Sequence, residues 1–351
     1  MTALGAGAAL GLAGCISTPE DGEVSANETG GATQDEALDA AKSTDVDRIA
    51  ADPTDVPDPV DWSSPREHDI TLTTKEVTAE VEPGVTFDYM TFDGQVPGPM
   101  VRVRRGDTVN LTLESPEDSG LPHNIDFHAV YGPGGGADDT TIAPGESATI
   151  RFKAMYPGVH IYHCAVDNMD QHISAGMFGA ILVEPEDGLP EVDRELYLGQ
   201  HEIYTNGEPG EEGHHKFDFE AMKKEEPTYV TFNGQAHGFT GDRLGPIEVE
   251  QDETIRIFLS NGGPNLSSSW HAIGNVWTKL YRDGSLVSEP DQFVETAPVS
   301  PGTVAAAEID TPVPGPIKIV DHALTRAARR GALGVINVDG EERPEIFDPD
   351  P

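Results

Sequence analysis

Between residues 66 and 338, apolar and polar positions alternate in short runs. MVRVRRGDTVNLTL (100–113), ESATIRFKA (146–154), GAILVEP (179–185), ETIRIFLS (253–260) and GALGVINVD (331–339) are rich in Val, Ile, Thr and Phe. Gly, Pro, Asn and Asp separate them. Side chains on an extended strand face opposite sides in turn, so these runs predict half-buried strands rather than helices. Many short strands punctuated by turn residues predict an all-β sandwich.

The pattern also recurs. YMTFDGQVPGP at 89 returns as YVTFNGQAHGF at 229, and RRGDTVNLTLESP returns as EQDETIRIFLSNG. PHNIDFHA is answered by SWHAIGN, APGESATIRF by SPGTVAAAEI, PGVHIYHCA by PGPIKIVDHA, and AGMFGAILVEP by RGALGVINVDG. Six matched segments in one order predict two copies of one β-sandwich domain. The expected boundaries are 63–188 and 189–340, with an acidic tail over 341–351.

The segment before the first strand reads differently. MTALGAGAALGLAGC looks like the apolar region of a signal peptide ending in a lipobox, so residues 1–15 are expected to be a signal and Cys15 the lipid-bearing residue. Its apolar run is too short to span a bilayer. Residues 16–62 read as an acidic tether, with a short helix expected over Thr33–Ala51. Thr33 and Glu36 form a capping-box pattern, and Leu38, Ala41, Val46 and Ile49 fall near helical spacing.

Composition bounds the partners. The 62 acidic residues stand against 22 basic ones, a formal charge of −40, and the excess is spread along the chain. Such a surface repels nucleic acid and anionic lipid. It suits very high salt, where screening removes the self-repulsion.

The chemistry concentrates in IYHCAVDNMDQHISAGMFGAILVEP (161–185). An exported chain with Cys15 lipidated leaves Cys164 without a disulfide partner. On a strand, His163 and Cys164 point to opposite faces, so they suit two metals better than one. By the same parity, His123 and His128 of PHNIDFHA separate. Sorted by side, Cys164, His172, Met177 and His123 make one set. A thiolate, two imidazoles and a thioether are the donors of a blue-copper electron-transfer site. His128 and His163 make the other set and need a further imidazole. In the second repeat, Asp321 stands for Cys164 and Ala332 for Met177, so no blue site is expected there. His271 and His322 persist, and one of them could complete a three-histidine site with an open position. His214 and His215 lie in acidic, Gly-rich NGEPGEEGHHKFDF and read as a solvated loop. His68, His160, His201 and His237 lack partners at ligand spacing.

These motifs resemble the copper-containing nitrite reductases over nearly all of residues 60–340. The resemblance implies two tandem cupredoxin-type Greek-key β-sandwich domains, and type 1 copper on His123, Cys164, His172 and Met177. It implies type 2 copper on His128, His163 and His322, the last from a neighbouring chain of a homotrimer. Asp126 and His271 match the active-site residues and Ile273 the apolar residue over the substrate pocket. The implied reaction reduces nitrite to nitric oxide with an electron from a small blue-copper protein or cytochrome c. The eight-residue spacing from Cys164 to His172 is similar to the lipid-anchored branch of the family, and the acid excess suggests a haloarchaeal member. A two-domain laccase-like multicopper oxidase is the near alternative, but its His-x-His pairs are missing. A non-catalytic blue-copper electron carrier would leave His128, His163, His271 and His322 unexplained.

Overall fold

Alternation becomes strands wherever a sheet can bury one face. The computed structural model describes residues 37–351 apart from Asp242. The first half supplies β1 (Glu67–Glu82), β2 (Val85–Phe92), β3 (Val101–Arg104), β4 (Thr108–Glu114), β5 (Asp126–Phe127), β6 (Ser147–Lys153), β7 (Gly158–His163) and β8 (Phe178–Glu184). The second supplies β9 (Arg194–Ile203), β10 (Gly213–His215), β11 (Tyr229–Phe232), β12 (Ile247–Glu250), β13 (Thr254–Asn261) and β14 (Ser268–Ile273). It continues with β15 (Trp277–Tyr281), β16 (Asp291–Val294), β17 (Thr296–Val299), β18 (Thr303–Asp310), β19 (Gly315–Asp321) and β20 (Leu333–Asp339). Three short helices interrupt them: α1 (Met169–Ser174), α2 (Phe219–Lys223) and α3 (Leu324–Arg330). None of the described helices is long and apolar enough to cross a membrane.

The repeat read from the sequence is a repeat of topology. Sheet order β10-β2-β1-β4-β6 is answered by β11-β9-β13-β18-β15-β16, and β3-β8-β7-β5 by β12-β20-β19-β14-β17. Even the strand directions correspond. β1–β4 and β9–β13 are parallel, as are β3–β8 and β12–β20. Each sandwich has its own apolar core, around Val103, Leu111 and Phe127 in the first and around Trp270, Ile257 and Ile319 in the second. A third core holds residues of both, with Phe87, Ile161 and Phe178 packed with Tyr197, Phe258 and Ala306. Buried ion pairs add to this seam. Arg102 meets Glu184 and Glu195, and Arg256 meets Glu195 and Glu308.

Two expectations fail here. The helix over Thr33–Ala51 is not formed in its described part, and residues 38–60 are not a loose tether. Their backbone pairs with the sandwiches instead. Ala51 N donates to Val96 O, Asp45 N donates to Thr78 O, and Ala51 O accepts from the Asn233 side chain. Ile49, Ala50 and Ala51 are buried, so burial of Ile49 in the shared core outweighs the weak helical spacing. The second failure concerns His214 and His215, which are buried on β10, paired in parallel with β2. His214 Nδ1 lies 3.2 Å from Thr86 Oγ1, and His215 Nε2 donates to Glu211 O at 2.8 Å. Sheet pairing of three residues buried what the acidic flanks made look solvated.

Candidate metal centres

Strand β7 ends at His163, and the next residue carries the thiol. Cys164 Sγ lies 3.5 Å from His172 Nδ1 and 3.9 Å from His123 Nδ1. These three residues form one of two groups of His, Cys, Asp and Glu gathered tightly enough to hold a metal ion among the described residues. Three different pieces of chain bring them together. His123 is fixed by a two-way backbone bridge with Ile142. His172 rides in the last turn of α1, whose end is gripped from the second sandwich: Ser174 Oγ donates to Glu202 O, and His201 Nδ1 donates to Ser174 O. Met177 closes the loop, its N donating to His172 O and its O accepting from Cys164 N. All four side chains are buried, with Cys164, His123 and Met177 at 0% exposure.

Burial sets the protonation states. It pushes the Cys164 thiol up and the His123 imidazole down, and it lowers His172 to about 4, with His123 adding to the effect. Neutral imidazoles with free lone pairs are the form that binds metal, and a thiol held up by desolvation gives up its proton when a cation arrives. A dry pocket of one soft thiol, two imidazoles and a thioether therefore fits copper by the chemistry of its donors.

The second cluster lies on the other face of β7. Phe127 stacks on Tyr162 with ring centroids 4.7 Å apart, which pins β5 onto β7. Asp126 pairs directly with His163 in that ladder. Opposed residues share a face, and His128, two residues after Asp126, shares it too. His128 Nε2 and His163 Nε2 stand 3.1 Å apart, and Asp126 joins them in a group of metal-holding geometry. His163 Nδ1 donates to Cys164 O at 3.0 Å, which leaves Nε2 as a lone pair. Desolvation, and then His163, holds His128 below its ordinary value.

His271 and His322 form a separate pair in the second sandwich, with ring centroids 5.1 Å apart. His271 Nδ1 donates to Glu295 O at 2.7 Å, and Ile273, on the same face of β14, is 39% exposed. Within one chain this pair does not join the donors of Asp126, His128 and His163. Asp321, the counterpart of Cys164, is buried and accepts from Ser269 N, Ala323 N, Gln200 and Arg326, so a hydrogen-bond network occupies the second sandwich's equivalent of the thiol.

Three contributors were not singled out in the sequence. Asn124 Oδ1 accepts from Ala165 N at 2.6 Å and ties the cysteine loop to the His123 segment, and its place between His123 and Ile125 was the available signal. Glu76 Oε1 lies 3.2 Å from His123 Nε2 and comes from distant β1, with no local signal. Gly135, in the left-handed region at φ +58°, comes so close to Asp126 that a Cβ there would stand 1.8 Å from Oδ1. The run GPGGG at 132–136 was its trace.

Similarity to known proteins extends over most of the chain. A multicopper oxidase family model matches residues 73–188. The copper-containing nitrite reductase of Neisseria meningitidis is 43% identical over 303 residues, 86% of this chain and 76% of that one. That of Alcaligenes faecalis is 34% identical over 282 residues, 75% and 73% of the two chains. The solved copper nitrite reductase of Nitrosomonas europaea superposes with a TM-score of 0.71 at 34% identity, covering 80% of this chain and 96% of that one. Identity at this level over 86% of the chain has one consequence: the chain belongs to the copper-containing nitrite reductases.

Proposed function

We propose that this chain reduces nitrite to nitric oxide by passing one electron from a centre held by His123, Cys164, His172 and Met177 to a centre held by His128, His163 and His322. The observation that carries this reading is the adjacency of His163 and Cys164. One faces Asp126 and His128, the other His123 and His172. The peptide between them, with the His163 Nδ1 to Cys164 O hydrogen bond beside it, is the shortest covalent path from one donor set to the other.

Bound copper would supply a one-electron couple at the buried set and a Lewis acid for a small oxyanion at the open set. The protein's own residues do the rest. Each nitrite takes one electron and two protons and leaves as nitric oxide and water. Asp126 sits among the open-set donors and delivers one proton, and His271 relays the other. The Glu295 carbonyl holds His271 in one tautomer, with Nε2 free to face the substrate. Ile273 supplies the apolar wall.

A homotrimer completes the site. One chain presents Asp126, His128 and His163, and another presents His271, Ile273 and His322. Two half-sites kept apart in one chain, one of them with an exposed isoleucine two residues along the strand from His271, support that reading. Because both halves share one fold, the first sandwich of one chain can meet the second of its neighbour in a head-to-tail contact that closes a ring. Domains 63–188 and 189–340 are the units of that contact. Cys15, which lies outside the described residues, anchors an exported protein to the membrane by lipid in a high-salt, haloarchaeal setting. A small blue-copper protein or cytochrome c donates the electron. Anaerobic incubation with nitrite and a chemical reductant tests the activity: one nitric oxide per nitrite is expected, and no nitric oxide there, together with oxygen consumption in a parallel aerobic assay with the reductant, would favour the multicopper oxidase reading.

A further inference from the structure

Three arginines of the described residues are buried with their guanidinium groups. Arg102 and Arg256 each meet two carboxylates. Arg104, 7% exposed, meets none among the described residues, in a chain with 62 acidic side chains. Its Nη2 donates to Glu186 O at 3.0 Å and its Nη1 to Arg105 O at 3.4 Å, while buried Nε has no partner. A guanidinium cannot shed its charge, and a buried charge left without a counter-charge is strongly disfavoured. Arg104 lines a surface cavity of about 340 Å³ together with Arg105, Lys153, Gly106 and Ser63. Lys153 forms no ion pair among the described residues. Glu186 is the one carboxylate in the lining, and it is engaged 3.5 Å from Arg105. Three cations against one paired carboxylate make this a locally positive hollow on a chain of charge −40.

We propose that this cavity is a binding site for a small inorganic oxyanion, held by Arg104 and Lys153 at the rim of the first sandwich. The planar fork of Arg104 matches an oxyanion's geometry, and Lys153 adds a mobile point charge. Gly106, at φ +92°, turns the chain between Arg105 and Asp107 and packs against Pro65, which also lines the cavity. None of the residues named here belongs to either donor cluster, so occupancy is separable from nitrite turnover.

Thermal melting of the full copper-loaded protein tests this, with sodium phosphate or sodium nitrate replacing sodium chloride at constant ionic strength. A saturable rise in Tm is expected for wild type. In Lys153→Met the half-saturating concentration should rise at least tenfold, and in Arg104→Met the rise should vanish, with nitrite turnover unchanged in both. If Arg104→Met fails to fold, Arg104→Lys and Lys153→Met read the same effect. Superimposable titrations for wild type and variants overturn the proposal, because the anion then acts elsewhere. Stabilisation of wild type by chloride alone overturns the oxyanion assignment. A crystal structure with Arg104 paired to a carboxylate of another chain or of residues 1–36 overturns the site itself.

Discussion

Gly135→Ala is a one-methyl change that reaches Asp126, the proposed proton donor. The methyl would appear 1.8 Å from Asp126 Oδ1 and 3.0 Å from Phe127 O. Real Cβ contacts do not fall below 3.0 Å, so loop and carboxylate must part by at least about 1.2 Å. Alanine at φ +58° adds about 1–2 kcal/mol of backbone strain. In a protein of this size that lowers Tm by roughly 1–3 °C. The larger effect is on catalysis, since a misplacement of about 1 Å at a reacting group costs on the order of 100-fold. Steady-state nitric oxide formation, copper content and melting, measured on the same preparations, separate the two effects. Full copper, a modest loss of Tm and a fall in kcat of about two orders of magnitude are expected, with KM for nitrite nearly unchanged. Placed on an Asp126→Asn background, Gly135→Ala should add little, because the group it displaces no longer delivers a proton. A single variant within twofold of wild-type kcat would refute the positioning argument, and so would full additivity in the double variant.

Cys164→Ser should remove the blue colour while the second copper's EPR signal persists; a variant that stays blue would take Cys164 out of the site. Asp126→Asn should bind both coppers and lose most turnover, and wild-type rates across the pH range would contradict its proton role. His128→Ala and His322→Ala should each be inactive, yet random co-assembly in a ring trimer should restore about a quarter of the sites. No recovery from folded mixed trimers would mean that one chain holds the whole site. Burial raises the Glu202 carboxyl to about 7, so the folded state holds a proton that the unfolded chain releases near its ordinary 4.5. That stability is fully present below about 4.5 and is lost as pH rises through about 7. Glu202→Gln should flatten that part of the Tm–pH curve, and an unchanged slope would show that Glu202 is not the titrating group.

The alternation of apolar positions made the strands legible because one face of each is buried in a sandwich core. The clustering of His123, Cys164 and His172 was legible because Cys164 and His172 share one loop and strand parity separates His163 from Cys164. What escaped depended on contacts distant in sequence. Residues 38–60 are acidic and proline-rich, yet Ile49 reaches the shared core. His214 and His215 have acidic flanks, but pairing with β2 buries them. Glu76 reaches His123 from β1 across 47 positions. Gly135 acts through the side chain it does not have. His271 and His322 lie apart from the Asp126, His128 and His163 cluster within one chain, and spacing along one sequence carries no signal for a partner on another.

The copper count with visible and EPR spectra bears most directly on the two-centre reading. Two coppers per chain are expected, one blue through thiolate-to-copper charge transfer and one with little visible colour and a distinct EPR signal. The second should disappear in His128→Ala while the first remains. One copper per chain, or a stoichiometry and spectrum of a trinuclear cluster, would contradict it.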